Sequence, residues 1–135
     1  MSAQANKTLV RRLFEEVWNN GNLETAKEIV DKNYSSIENQ VFASTPGPEI
    51  VAADIELYQS LYDGLNFQIE RMFTEGGTVV TVWKVSGVSK TETFVNRKGE
   101  TVPKSLKAEG VSLSEVKDGK ITAHRFLWPR RPLSP

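Results

Sequence analysis

The spacing of apolar residues changes once along this chain, at Asp63-Gly64, and that change decides the class of fold. Before it the spacing is helical. Val10, Leu13, Phe14 and Val17 fall at i, i+3, i+4 and i+7, one apolar stripe. Asn19-Asn20-Gly21 stops that helix, and Asn22 caps a short second one whose buried face is Leu23, Ala26, Ile29 and Val30. Asn33 to Phe42 reads as a short strand and Ser44-Thr45-Pro46-Gly47-Pro48 as a loop. A third helix then carries Val51, Ile55, Tyr58 and Tyr62 on one stripe, with Leu61 beside it. Beyond Gly64 the period is two. Leu65, Phe67, Ile69 and Phe73 alternate with polar residues, Glu75-Gly76-Gly77 turns the chain, and Val79 to Val88 is a long strand apolar on both faces. Leu106 to Val116 and Lys120 to Trp128 are joined at Lys117-Asp118-Gly119, a strong hairpin signal. Pro129 and Pro132 end the last strand. The order α-α-β-α-β-β-β-β predicts one α+β domain over residues 1–135: three N-terminal helices packed on a strongly curved, mainly antiparallel sheet. Such a sheet half-covered by helices is a cone, and its mouth is a natural ligand pocket.

The composition narrows the chemistry. With 135 residues, one domain is expected at ~150 residues each. No cysteine is present, which excludes disulfides, thiol nucleophiles and thiolate-bound metals, and a single histidine, His124, excludes His-pair zinc motifs. The 17 basic and 17 acidic residues balance, so charge offers no case for nucleic acid or an anionic membrane. Met1 to Thr8 is polar and unlike a signal peptide, no run approaches the ~20 apolar residues of a membrane span, and a cytoplasmic location is expected.

Three stretches carry a family resemblance. Leu13-Phe14-Glu15-Glu16-Val17-Trp18-Asn19-Asn20-Gly21-Asn22-Leu23 resembles the first helix and turn of SnoaL-like polyketide cyclases. Pro46-Gly47-Pro48-Glu49-Ile50 resembles the loop that opens their third helix. Gly110-Val111-Ser112-Leu113 with Lys117-Asp118-Gly119-Lys120-Ile121 resembles their last hairpin. These proteins share the cone of the nuclear transport factor-like superfamily with ketosteroid isomerases, scytalone dehydratase and limonene-epoxide hydrolase. The fold is therefore implied over nearly the whole chain, while the reaction is not, because this fold hosts many. The cyclase histidine position after Tyr34 falls on Ile37, and the acid, Trp and Asp positions of the last strand fall on Ala123, Arg125 and Pro129. All four depart from the pattern. The ending Gly119 to Trp128 is more similar to ketosteroid isomerases, whose Asp base and Tyr-plus-Asp oxyanion hole would fall on Glu38, Phe14 and Ser112. Only the base position keeps its chemistry.

The resemblance thus implies Glu38 as a general base, and the carbonyl would be polarised by His124, beside a Ser hydroxyl, or by the hydroxyl of Tyr34, Tyr58 or Tyr62. Thr122, His124, Phe126 and Trp128 alternate onto one strand face, which faces Ser112, Ser114 and Val116 of the neighbouring strand. Phe14, Trp18, Tyr58, Tyr62, Ser112 and Trp128 are expected to line a site that takes a small apolar or aromatic molecule. Arg125 falls on the opposite face, so an epoxide-hydrolase set with Asp54 is not expected. The expected chemistry is aldol-type cyclisation, isomerisation or dehydration through an enol or enolate, with no metal and no redox cofactor. The alternative is a non-catalytic small-molecule-binding or accessory protein that keeps the cone. Apolar residues on both faces of the sheet predict a homodimer through the outer face.

Overall fold

The computed structural model describes residues 2–36 and 47–127. Helix α1 runs from Ala3 to Arg12 and is capped by Ser2, whose hydroxyl accepts from Ala5 N–H at 3.0 Å. It continues, unexpectedly, as a π-helical segment from Leu13 to Trp18, closed by Asn19 N–H donating to the Phe14 carbonyl at 2.9 Å. Leu13, Phe14, Val17 and Trp18 are all buried in this segment.

Asn22 caps α2 (Leu23–Ile29) as expected, its side chain accepting from Thr25 N–H at 3.1 Å. Thr25, Ala26 and Ile29 are buried, whereas Leu23, expected on that face, is exposed at the helix start. Arg12 donates to Glu28 at 2.8 Å and to Glu16 at 3.0 Å, and Glu16 also accepts from the Thr25 hydroxyl. These bonds tie the first helix to α2 and hold both carboxyls below their usual range.

Strand β1 (Val30–Ser36) begins earlier than expected, directly at the end of α2. Helix α3 (Pro48–Leu61) starts on Pro48, which has no N–H to leave unpaired there. It buries Ile50, Val51, Asp54 and Ile55. Tyr62 is not on its stripe: its backbone is extended at φ −137°, and it opens strand β2 (Tyr62–Glu75). Tyr62 is half-buried rather than part of the helix face packed on the sheet.

Strands β3 (Thr78–Val95), β4 (Thr101–Lys117) and β5 (Lys120–Leu127) complete a five-stranded sheet in the order β1-β5-β4-β3-β2. All pairings are antiparallel except β1 with β5. The β4–β5 turn is the expected one: Asp118 and Gly119 both have positive φ, 52° and 76°, the demand of a two-residue hairpin. A bulge between Ile69 and Arg71 breaks the alternation in β2, so Phe73, expected on the inner face, is exposed and Met72 packs against the core. Val79, Thr81, Trp83 and Val85 of β3 face inward, and Val80 and Val82 outward.

The core is aromatic at its centre. Phe67 stacks edge-on to Phe14 (5.5 Å), Trp18 (5.6 Å) and Trp83 (5.1 Å), and Phe126 stands 5.6 Å away. Asn19 fixes Phe67 from outside. Its amide donates to the Phe67 carbonyl (2.9 Å) and its oxygen accepts from Phe67 N–H (2.7 Å), as a neighbouring strand would. Gly110 lies opposite Trp83 in the ladder, and a Cβ there would come within 2.5 Å of the indole. The missing side chain is what lets the ring lie across β4 towards Ser112.

Candidate active site

His124 and its neighbours form the chemical centre of the described core. A second irregularity puts them there. Counted back from the Asp118-Gly119 turn, Lys117 pairs with Lys120 and Val116 with Ile121, but Glu115 pairs with Ala123 and Ser114 with His124. Thr122 is the extra residue of a bulge, so Ile121 and His124, three apart, both face the core. Thr122 therefore does not share the His124 face as strand alternation predicts; its hydroxyl instead donates to the Glu115 carbonyl at 3.2 Å. Arg125 is exposed on the far side, as expected, and Asp54 is buried on α3, so these two form no joint site.

The imidazole of His124 is buried, only 3% exposed. Nδ1 lies 2.7 Å from the Ser114 hydroxyl, and Nε2 has no hydrogen-bond partner among the described residues. Phe14 meets the ring edge-on at 5.6 Å and Phe126 at 4.6 Å. Apolar burial disfavours the cation and pushes the His124 pKa from 6.5 down to about 3. The imidazole is therefore neutral throughout the physiological range. It is a poor proton acceptor and a fixed dipole that can hydrogen-bond a polar atom brought to Nε2.

Ser112, expected to line the site, is engaged elsewhere. Its hydroxyl accepts from the Trp83 indole N–H at 2.9 Å, and it pairs across the ladder with Phe126. Ser114 is the residue that sequence reasoning placed on the right face but did not single out. Phe14 and Trp18 are buried in the same cluster, and Tyr58 packs edge-on to Trp18 at 5.6 Å. Tyr62 is displaced onto β2, as described above. Glu38 and Trp128 lie outside the described residues. Thr81, on the inner face of β3, is a further buried hydroxyl that no motif pointed to, and its oxygen has no partner among the described residues. No group of three His, Asp or Glu side chains that could hold a metal ion occurs among the described residues. A separate open groove of about 430 Å³ runs between the first helix and β2, lined by Arg11, Glu15, Asn19, Gln68, Ile69 and Lys84. It contains none of the expected site residues.

The family model of SnoaL-like polyketide cyclases matches residues 8–133. The chain belongs to that family. No curated protein matches it by sequence. Among solved structures, this SnoaL-like chain is similar to a candidate polyketide cyclase from Acidithiobacillus ferrooxidans, with TM-score 0.75 and 18% identity over 96% of this chain and 92% of that one. It is also similar to IdmH, a candidate polyketide cyclase from Streptomyces antibioticus (TM-score 0.71, 18% identity, 90% of each chain). A third likeness is to an LEH-like epoxide hydrolase from M. tuberculosis (TM-score 0.66, 17% identity, 93% and 79%). At these identities the likeness establishes the shared cone-shaped α+β fold. It does not choose between the reactions the neighbours are named for. No helix among the described residues is long and apolar enough to cross a membrane.

Proposed function

We propose that this SnoaL-like protein is a cofactor-independent enzyme acting on a small apolar or aromatic metabolite in the cytoplasm. It would remove a proton next to a carbonyl, and the enol or enolate would go on to aldol-type cyclisation, isomerisation or dehydration. The observation that carries this reading is the neutral imidazole of His124, buried between Phe14 and Phe126 with Nε2 unpartnered among the described residues. A neutral histidine polarises a carbonyl without carrying charge into an apolar site. Glu38 is the base in this scheme. Phe14, Trp18, Tyr58, Tyr62, Ser112 and Trp128 are assigned to the substrate's surroundings.

The test follows deuterium uptake at the acidic carbon of aromatic polyketide or enone compounds. Glu38→Gln keeps the shape of the side chain and removes the base, so uptake is expected to fall about a hundredfold or more. Undiminished uptake in that variant dismisses Glu38. A non-catalytic binding protein is the second reading, favoured by the departures at Ile37, Ala123, Arg125 and Pro129. It requires no exchange by the parent at all, while apolar aromatic compounds still raise the melting temperature and sugar phosphates do not.

The same proposal includes a homodimer through the outer sheet face. Val80 and Val82 of β3 pair there with Leu113 and Val111 of β4, and Phe73 and Leu127 at the flanks are exposed. Sedimentation at micromolar concentration is expected to give a dimer, and Val82→Asp a monomer. A monomeric parent sinks this part of the proposal.

A further inference from the structure

We propose that Ser114 donates its hydroxyl proton to Nδ1 of His124 and so holds the imidazole in the tautomer protonated at Nε2. Two observations carry it. The Oγ–Nδ1 separation of 2.7 Å is at the short edge of the range for a ring N–H donor to oxygen. Ser114 is fully buried, and Nδ1 is the one partner of its hydroxyl among the described residues, so the proposed direction leaves only Nε2–H unpaired in the free protein, whereas the reverse leaves both the Ser114 O–H and the Nε2 lone pair unpaired. Ser112, the other inward hydroxyl of β4, already accepts from Trp83 and is opposite Phe126 rather than the imidazole. With Nδ1 occupied as acceptor, the free corner of the ring is a donor. It suits a carbonyl oxygen, or the enolate oxygen that develops from it, and repels a cationic group. This last step rests on the enzyme reading above; the tautomer itself does not. Ser114 is thereby a positioning residue, acting on the substrate only through His124.

His124 is the single histidine of the chain, so its ring nitrogens are read without assignment in uniformly ¹⁵N-labelled protein by long-range ¹H–¹⁵N correlation. The result expected at pH 7, with no substrate present, is a pyrrole-type Nε2 and a pyridine-type Nδ1. Ser114→Ala is expected to lose this discrimination, the two nitrogens moving to intermediate, exchange-averaged shifts, and Ser114→Thr, which keeps the hydroxyl, to restore it. A pyrrole-type Nδ1, averaged shifts in the parent, or a doubly protonated ring overturns the proposal. So does an unchanged tautomer in folded Ser114→Ala. If Ser114→Ala does not fold, the parent spectrum alone decides. Deuterium uptake in the Glu38 variant is scored separately: a correct tautomer with no exchange activity leaves this inference standing and removes the enzyme reading.

Discussion

Between pH 7 and pH 5 the protein is expected to lose about 2 kcal/mol of stability through one residue, His124. The cause is the difference between a folded pKa of about 3 and the ordinary value of 6.5. Below pH 6.5 the unfolded chain takes up a proton at this position and the folded chain refuses it. Acid therefore favours unfolding, from pH 6.5 down to about 3. At about 1.36 kcal/mol per pKa unit, the full loss over that window is roughly 4–5 kcal/mol. That is a large part of the 5–15 kcal/mol typical of a domain. The upper part of the window isolates the histidine. Glu16 and Glu28, whose carboxyls Arg12 holds low in the folded protein, add to the loss only as the pH approaches the ordinary value of 4.5, where the unfolded chain takes up their protons. Urea unfolding at pH 7, 6 and 5 measures the slope. A flat profile in the parent refutes the buried neutral imidazole. His124→Gln, which cannot titrate, is expected to remove the slope.

Phe14→Ala is expected to cost about 3–5 kcal/mol, the range for deleting a fully buried aromatic ring. Phe14 has no solvent exposure, and its ring touches Phe67, Phe126 and His124 at centroid distances of 5.5, 6.1 and 5.6 Å. The π-helical backbone cannot slide to refill the space, because Leu13, Val17 and Trp18 are held in the same core. The variant also probes the first prediction. Opening a void against the imidazole admits water and lowers the desolvation that keeps the ring neutral, so the loss between pH 7 and pH 5 should shrink along with the total stability. Thermal and urea unfolding measure both. A cost below about 1 kcal/mol means the cluster does not pack around Phe14 as described.

Much of the fold was legible because it is written in short-range chemistry. The Asn22 cap, the Asp118-Gly119 turn and the change of apolar period at Gly64 each depend on residues within a few positions of one another. What escaped was insertion of single residues into regular elements. The π turn at Leu13–Trp18, the bulge after Ile69 and the bulge at Thr122 each shift a register by one, and no residue type announces them. The site depends on the last of these. Without the bulge, pairing counted from the hairpin turn sets His124 opposite Leu113 and turns Ser114 to the other face of the sheet. With it, Ser114 meets the imidazole. The resemblance supplied the correct face for His124, and only the ladder could supply its partner.

The parallel pairing of β1 with β5 has a consequence for how the chain is made. Val30–Ser36 can find its place only beside Lys120–Leu127, some ninety residues later. At roughly 5–20 residues per second, a ribosome delivers the second strand on the order of ten seconds after the first. During that interval the β2–β4 meander can zip up by local contacts, while the first strand waits and the apolar stripe of the first helix is without its last wall. His124 arrives on the closing strand. The imidazole thus enters the apolar interior in the same event that completes the sheet, so a nascent chain stalled before residue 120 has neither the closed edge nor the acid-sensitive core.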